Sequence, residues 1–83
     1  MKVYVLSEED TRPDGNNLVV AAYKQKEDAY EDMRRRWHET VTGYSGNSLA
    51  NAHLASDMAY VEILNGADCG ELTWTIYELE VKE

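Results

Sequence analysis

Gln25–Val41, with the sequence QKEDAYEDMRRRWHETV, is the segment that decides the fold. Its apolar residues recur at the spacing of one helical face, and strict alternation fails, so the segment predicts one amphipathic helix. Those residues are Ala29, Tyr30, Met33, Trp37 and Val41. Lys24 and Gln25 precede the helix, so its start lacks a Ser, Thr, Asp or Asn cap. Thr42-Gly43 is the predicted end, with Gly43 just beyond the last helical residue.

The polar face of this helix has acids in its first half, followed by Arg34-Arg35-Arg36. The three arginines fit either a phosphate-binding patch or a solvated face paired with acids one turn earlier. The second interpretation is favoured because the whole chain has a net charge of −8, a poor footprint for nucleic acid. Glu31 with Arg35 and Asp32 with Arg36 are the expected ion pairs, each worth about 0.2–0.5 kcal/mol.

The remaining apolar segments are short, rich in valine and aromatic residues, and are predicted as strands. They are Lys2–Ser7, Leu18–Tyr23, Asp57–Leu64 and Leu72–Val81. The first two can pair as a hairpin, because the intervening Glu8–Asn17 contains turn-forming residues. In the third strand, the alternation predicts that Ala59, Val61 and Ile63 are buried.

Two segments leave alternatives open. Ser48–Ser56 fits a short helix capped by Asn47, or an ordered loop. In Leu72–Val81 the apolar positions change parity near Ile76-Tyr77. A β-bulge there would bring both sets of side chains to one face. The alternative is a strand that is covered on both faces, for example by another subunit.

These elements predict a single domain over residues 1–83, of the α+β class. The expected order is strand, strand, long helix, short helix or loop, strand, strand. We expect a four-stranded, mostly antiparallel sheet with the long helix packed on one face. The other face would be polar or covered by a partner, with Tyr4, Tyr60, Thr73 and Thr75 as candidate residues.

Charge is the most distinctive global property of the chain. Sixteen acidic residues stand against eight Lys and Arg, and from Glu39 to Val81 there are seven acids and no Lys or Arg. This argues against direct binding of nucleic acid or an anionic membrane, and favours a basic partner. With a single cysteine, no signal-peptide core and no apolar run of about 18 residues, we expect a cytoplasmic protein.

Few residues point to catalysis or metal binding. Cys69 lies in a turn without the sequence signature of a catalytic cysteine. His53 and Asp57 would share a face on a continuous helix, and could hold a metal if His38 or Cys69 completed the site. The glycines form no phosphate-binding pattern. The sequence thus favours a binding protein over an enzyme, with no catalytic residue, metal ligand or cofactor predicted.

Two segments carry a resemblance at the level of fold. LVVAAYKQKEDAYEDM, residues 18–33, and TIYELEV, residues 75–81, resemble a strand–helix pattern and a final strand in small acidic proteins of gut bacteria and their phages. In size and charge such proteins are similar to anti-CRISPR and other counter-defence inhibitors. The resemblance implies an inhibitor of a nucleic-acid-binding protein, and it assigns no site residue.

The leading hypothesis is therefore a small acidic module that binds a basic protein surface. The charge would come from Glu62, Asp68, Glu71, Glu78 and Glu80, and the aromatic anchors would be Tyr60 and Tyr77. The alternative is a small-molecule or metal-binding domain in which His38, His53, Asp57 and Cys69 converge. A homodimer that pairs two open sheet faces is a third hypothesis, compatible with the first.

Overall fold

The structure, a computed structural model, describes residues 1–12, 15–44, 49–64 and 69–82. The chain forms five strands and one helix in these ranges. They are β1 (Lys2–Asp10), β2 (Leu18–Tyr23), α1 (Lys26–Gly43), β3 (Leu49–Leu54), β4 (Met58–Ile63) and β5 (Gly70–Glu80). The helix occupies the segment in which the apolar spacing predicts it, and no side chain caps its start. The prediction that Gly43 lies outside the helix is wrong, because Gly43 is the last helical residue and Tyr44 is the C-cap.

The strands form one antiparallel sheet in the order β2-β1-β5-β4-β3. The predicted four-stranded sheet is therefore wrong, because residues 49–54 form a fifth strand instead of a short helix or loop. Its short sequence, LANAHL, fits several periodicities and contains residues with little strand preference. What makes it a strand is pairing with the exposed edge of β4, in which Leu54 lies opposite Ala59.

The core lies between the helix and one face of the sheet. Ala29 and Met33 of the helix are fully buried against it. The buried sheet residues are Leu6, Ala59, Val61, Ile63, Leu72, Trp74 and Ile76. The predicted burial of alternate residues in β4 is thus confirmed.

Two indole N–H groups are paired on the helix side of the sheet: one joins the helix to β4, and the other joins β5 to β1. Trp37 Nε1 of the helix donates a hydrogen bond to the backbone oxygen of Tyr60, at 3.2 Å. Trp74 is 1% exposed, and its Nε1 donates to Glu8 Oε1 at 2.8 Å. Both donors are therefore satisfied where the aromatic rings are packed, as buried polar groups require.

Of the two alternatives for β5, the bulge near Ile76-Tyr77 is wrong. Strand β5 pairs with β1 in an unbroken register from Leu72 opposite Asp10 to Glu80 opposite Lys2. Consequently the parity change in the sequence becomes a change of face: Ile76 is buried, whereas Tyr77 is 53% exposed. Strand β4 begins at Met58, opposite Thr75, so β5 extends well beyond it.

Arg12 ties the end of β1 to the end of the helix. Its guanidinium contacts Asp10 through Nη2 and Oδ2 at 2.8 Å, and lies 5.8 Å from the ring centroid of Tyr44. The hydrogen bond and charge of Arg12 hold the pKa of Asp10 below its usual value, against the raising effect of burial. The backbone at Arg12 also approaches Gly70, the first residue of β5: a Cβ on Gly70 would lie 2.8 Å from the Arg12 nitrogen.

We predict that Gly70→Ala destabilises the protein by about 1–3 kcal/mol, because the added methyl group meets backbone that must move. The measurement is the free energy of unfolding in urea. Gly43→Ala is the matched control, since nothing lies within 4 Å of the added Cβ and alanine is the better helix former. The control should leave stability unchanged or raise it by up to about 1 kcal/mol. Equal destabilisation by both variants would contradict the close approach at Gly70.

Candidate protein-binding face

The face of the sheet opposite the helix, here called the open face, is the candidate functional site. No second helix covers it in the part of the chain that the structure describes. Because side chains alternate along a strand, the registers define which residues share this face. They are Val3, Val5, Ser7, Glu9, Val19, Ala22, Asn51, His53, Met58, Tyr60, Glu62, Glu71, Thr73, Thr75, Tyr77 and Leu79.

One end of the open face is acidic. Glu62 and Glu71 lie directly opposite each other on β4 and β5, and Glu9 lies opposite Thr73 in the adjacent pair of strands. Thr73 Oγ1 donates a hydrogen bond to Glu71 Oε1 at 2.8 Å. Like charges in directly opposed positions repel, so this pair lowers the stability of the isolated sheet. No Lys or Arg shares the open face in the paired registers.

Tyr60 is held in place at the centre of this acidic end. Its ring lies 5.7 Å from that of His53, its cross-strand partner, and its hydroxyl accepts a hydrogen bond from Asn51 Nδ2 at 3.2 Å. The side chain is only half-buried. A fixed, partly exposed tyrosine can bind a partner at a low cost in conformational entropy.

The other end of the open face is apolar and exposed. Val5 lies between Ala22 and Tyr77 on the neighbouring strands. The adjacent position pairs Val3 with Leu79, which is 51% exposed. Several apolar side chains are therefore contiguous and in water, an arrangement that marks interaction surfaces more often than single exposed residues do.

The predicted binding residues are divided between the two faces. Glu62, Glu71, Tyr60 and Tyr77 lie together on the open face, whereas Asp68 lies outside the described residues. Glu78 and Glu80 lie on the helix side of the sheet, beyond the end of the helix packing, where both are exposed. There Glu78 Oε1 is 3.9 Å from Lys2 Nζ, and Glu80 Oε1 is 3.3 Å from the amino group of Met1.

The predictions for the open face itself are also partly wrong. Tyr60, Thr73 and Thr75 lie on it, but Tyr4 lies on the helix side and packs against the core. Sequence reasoning missed Glu9, because the first strand was predicted to end at Ser7. The strand continues to Asp10 through three consecutive acids, which have little strand preference, so no pattern in the sequence identifies Glu9.

The residues of the alternative hypothesis, a metal or small-molecule site, are dispersed. His38 lies on the helix and His53 on the open face. Asp57 and Cys69 precede β4 and β5, at opposite ends of the antiparallel pair. The helical spacing expected for His53 and Asp57 is wrong, because residue 53 lies in a strand. Within the described ranges, no group of three His, Cys, Asp or Glu residues could hold a metal ion.

The arginines of the helix are paired with acids, as the favoured interpretation predicts. Arg35 Nη2 and Arg36 Nε contact Asp32 Oδ1 at 2.7 and 3.0 Å. Glu31 pairs with Arg34 and not with Arg35, the partner that the sequence predicts for it. The Asp32 side chain is only 10% exposed. These pairs neutralise much of the positive charge on the helix.

Tyr23 completes the cluster at Asp32, to which its hydroxyl donates a hydrogen bond. Burial alone would raise the pKa of Asp32, but this hydrogen bond and the charges of Arg36 and Arg35 outweigh burial, and the pKa lies below its ordinary value. The same hydrogen bond, together with burial, raises the pKa of Tyr23. The cluster joins the end of β2 to the helix.

Comparison with known proteins gives no relative: no family model, no curated protein and no solved structure matches the chain. The resemblance to acidic proteins of gut bacteria and phages therefore stays a prediction. Among the described residues, no helix is long and apolar enough to cross a membrane.

We predict that Asp32→Asn lowers the free energy of unfolding at about pH 7 by about 1–3 kcal/mol, because charged hydrogen bonds are lost. In the parent protein, the pKa of Asp32 is lower in the folded chain than in the unfolded chain, where it is near 3.9. This difference stabilises the fold at pH values above about 3.9. That contribution is lost as the pH falls through the folded pKa. The variant should therefore lose less stability than the parent when urea unfolding is repeated at about pH 3. Identical acid sensitivity of the two proteins would contradict the prediction.

We predict that Glu62→Gln stabilises the protein by about 0.2–1 kcal/mol at low salt, because it removes repulsion from Glu71. The gain should shrink in about 1 M salt, which screens the charges. A double-mutant cycle with Glu71→Gln, measured by urea unfolding, isolates the pairwise energy from other effects. A coupling energy of zero at low salt would show that the two carboxylates do not repel.

Proposed function

We propose that this protein is a small acidic module that binds a basic surface of another protein through its open face. The observation that carries the proposal is the composition of that face: an acidic end with Glu9, Glu62 and Glu71, and an exposed apolar end with Tyr77 and Leu79. Apolar side chains would supply burial, and the carboxylates would supply orientation and specificity.

The distribution of charge in the rest of the molecule supports this proposal. On the helix side, Arg35 and Arg36 are paired with Asp32. On the open face, Glu62 and Glu71 face each other with no basic side chain in the register. A basic partner would relieve their repulsion, so binding would gain energy that the free protein lacks.

The partner class that fits best is a nucleic-acid-binding protein, because such proteins have exposed basic surfaces. The acidic module would occupy that surface and exclude the nucleic acid, which makes it an inhibitor. It would not contact nucleic acid itself, since the net charge of the chain is −8. Association would be steered by charge and would weaken as salt is raised.

The test is capture of partners from a bacterial lysate by the tagged protein at low and high salt, identified by mass spectrometry. We expect a basic nucleic-acid-binding protein that is retained only at low salt. The double variant Glu62→Lys/Glu71→Lys should weaken that binding by about tenfold or more, because both reversals lie on the open face.

The matched control is Glu31→Lys/Glu39→Lys, which makes the same change in net charge on the helix, at side chains that are 64% and 65% exposed. Binding by the control should stay close to that of the parent, and thermal unfolding should show that both variants are folded. Equal losses in the two variants would mean that net charge alone matters. Unchanged binding by the open-face variant would refute the proposed site.

A further inference from the structure

Strand β5 continues beyond the end of β4, and we call its residues 77–80 the arm. Its residues Tyr77–Glu80 pair with Lys2–Val5 of β1 on one edge. On the other edge the last paired residue is Thr75, opposite Met58, and the chain of β4 arrives there from Asp57. No described strand lies beside residues 77–80 on that side. We call this stretch the open edge of β5.

The backbone groups on the open edge can be assigned from two hydrogen bonds. The Ile76 nitrogen donates to the Asp57 oxygen at 2.8 Å, so Ile76 points towards β4. The Val81 nitrogen donates to the Met1 oxygen at 2.7 Å, so Val81 points towards β1. Because these directions alternate along an antiparallel strand, the N–H and C=O groups of Glu78 and Glu80 face the open edge.

The side chains of the arm have different chemistry on its two faces. Tyr77 and Leu79 project from the open face and are 53% and 51% exposed. Glu78 and Glu80 project from the opposite face, with side chains 54% and 65% exposed. A strand added at this edge would align its own alternate residues with each set.

We propose that the open edge of β5 binds an extended segment of the basic partner as an added antiparallel strand, in which apolar residues alternate with Lys or Arg. This inference rests on the proposed function and specifies how part of the partner docks. The apolar residues would pack beside Tyr77 and Leu79. The basic residues would approach Glu78 and Glu80 from the open edge and share their carboxylates with Lys2 and the amino group of Met1, which approach from the β1 side. Main-chain hydrogen bonds would supply affinity, and the alternation would supply selectivity.

Charge selects this occupant over a second copy of the chain. Antiparallel pairing of two β5 edges would place the carboxylates of Glu78 and Glu80 near those of the other copy, and each chain has a net charge of −8. The other exposed edges of the sheet, those of β2 and β3, have no acidic side chains for a basic strand to pair with. Strand β2, LVVAAY, has no charged residue, and β3, LANAHL, has no acid. Among the described strands, only β5 combines a free edge, an apolar face and an acidic face.

The test uses a short synthetic peptide in which lysine alternates with valine, added to the full chain and followed by amide hydrogen exchange and NMR shifts. We expect slower exchange at the Glu78 and Glu80 amides. A peptide of the same composition in scrambled order, and one in which glutamate replaces lysine, should bind at least about tenfold more weakly. Protection that appears at β2 or β3 instead, or no binding of the alternating peptide, would overturn the proposal.

Glu78→Pro removes a donor from the open edge without removing a hydrogen bond to β1, and proline is tolerated at such positions. We expect it to weaken peptide binding by about tenfold or more. Glu78→Gln keeps the donor and removes the charge, so its smaller effect should vanish at high salt. Equal binding of the peptide by the parent and by Glu78→Pro would refute strand addition. Slow exchange of the arm amides without peptide, in a protein that sediments as a dimer, would also refute it.

The two proposals can fail separately. If lysate capture persists in Glu78→Pro but is lost in Glu62→Lys/Glu71→Lys, the open face binds the partner and strand addition is wrong. If the alternating peptide binds the arm but no basic protein is captured, the edge site stands and the proposed function does not.

Discussion

The antiparallel pairing of β1 with β5 is the interaction on which the rest of the structure depends. It joins the first and last strands through nine residue pairs and places them in the middle of the sheet. The hairpin of β1 and β2 is thereby attached to the meander of β3, β4 and β5. Since this contact closes nearly the whole chain into one loop, its entropic cost is met only when Leu6, Trp74 and Ile76 are buried together beneath the helix.

The same pairing creates the surfaces that we assign to binding. Strands β1 and β5 each extend beyond the strand that pairs with their outer edge. The pairing of β2 with β1 ends at Tyr4, and β4 begins opposite Thr75 of β5. The helix covers one face of the sheet, so the other face keeps its side chains available. On the open face, the polar and acidic side chains lie at the end where β4 pairs with β5. The apolar side chains lie at the other end, on the arm. A single sheet thus presents two kinds of surface without any cavity being needed.

Charge is arranged differently on the two sides of the sheet, and our proposal of a basic partner rests on this difference. Within the helix, acids precede bases by three or four residues, so Asp32 can bind Arg35 and Arg36 in its own element. On the open face, Glu62 and Glu71 meet across strands and have no such partner in the register. Local pairing stabilises the scaffold, whereas the uncompensated pair stores repulsion that a basic partner would remove. This arrangement is what we expect of a stable scaffold with a binding face for a cationic surface, as we propose.

The sequence by itself determined the helix, the burial of alternate residues in β4, and the ion pairs of Asp32, because these depend on periodicity and on neighbours three or four residues apart. It also placed Tyr60, Glu62 and Glu71 among the candidate binding residues. Only the tertiary structure decided that residues 49–54 form a strand, since pairing with β4 overrides their weak local preference. It also separated Glu78 and Glu80 from the open face and moved Tyr4 to the core side. The face on which a strand residue lies depends on register against distant strands, and register is a property of the assembled sheet.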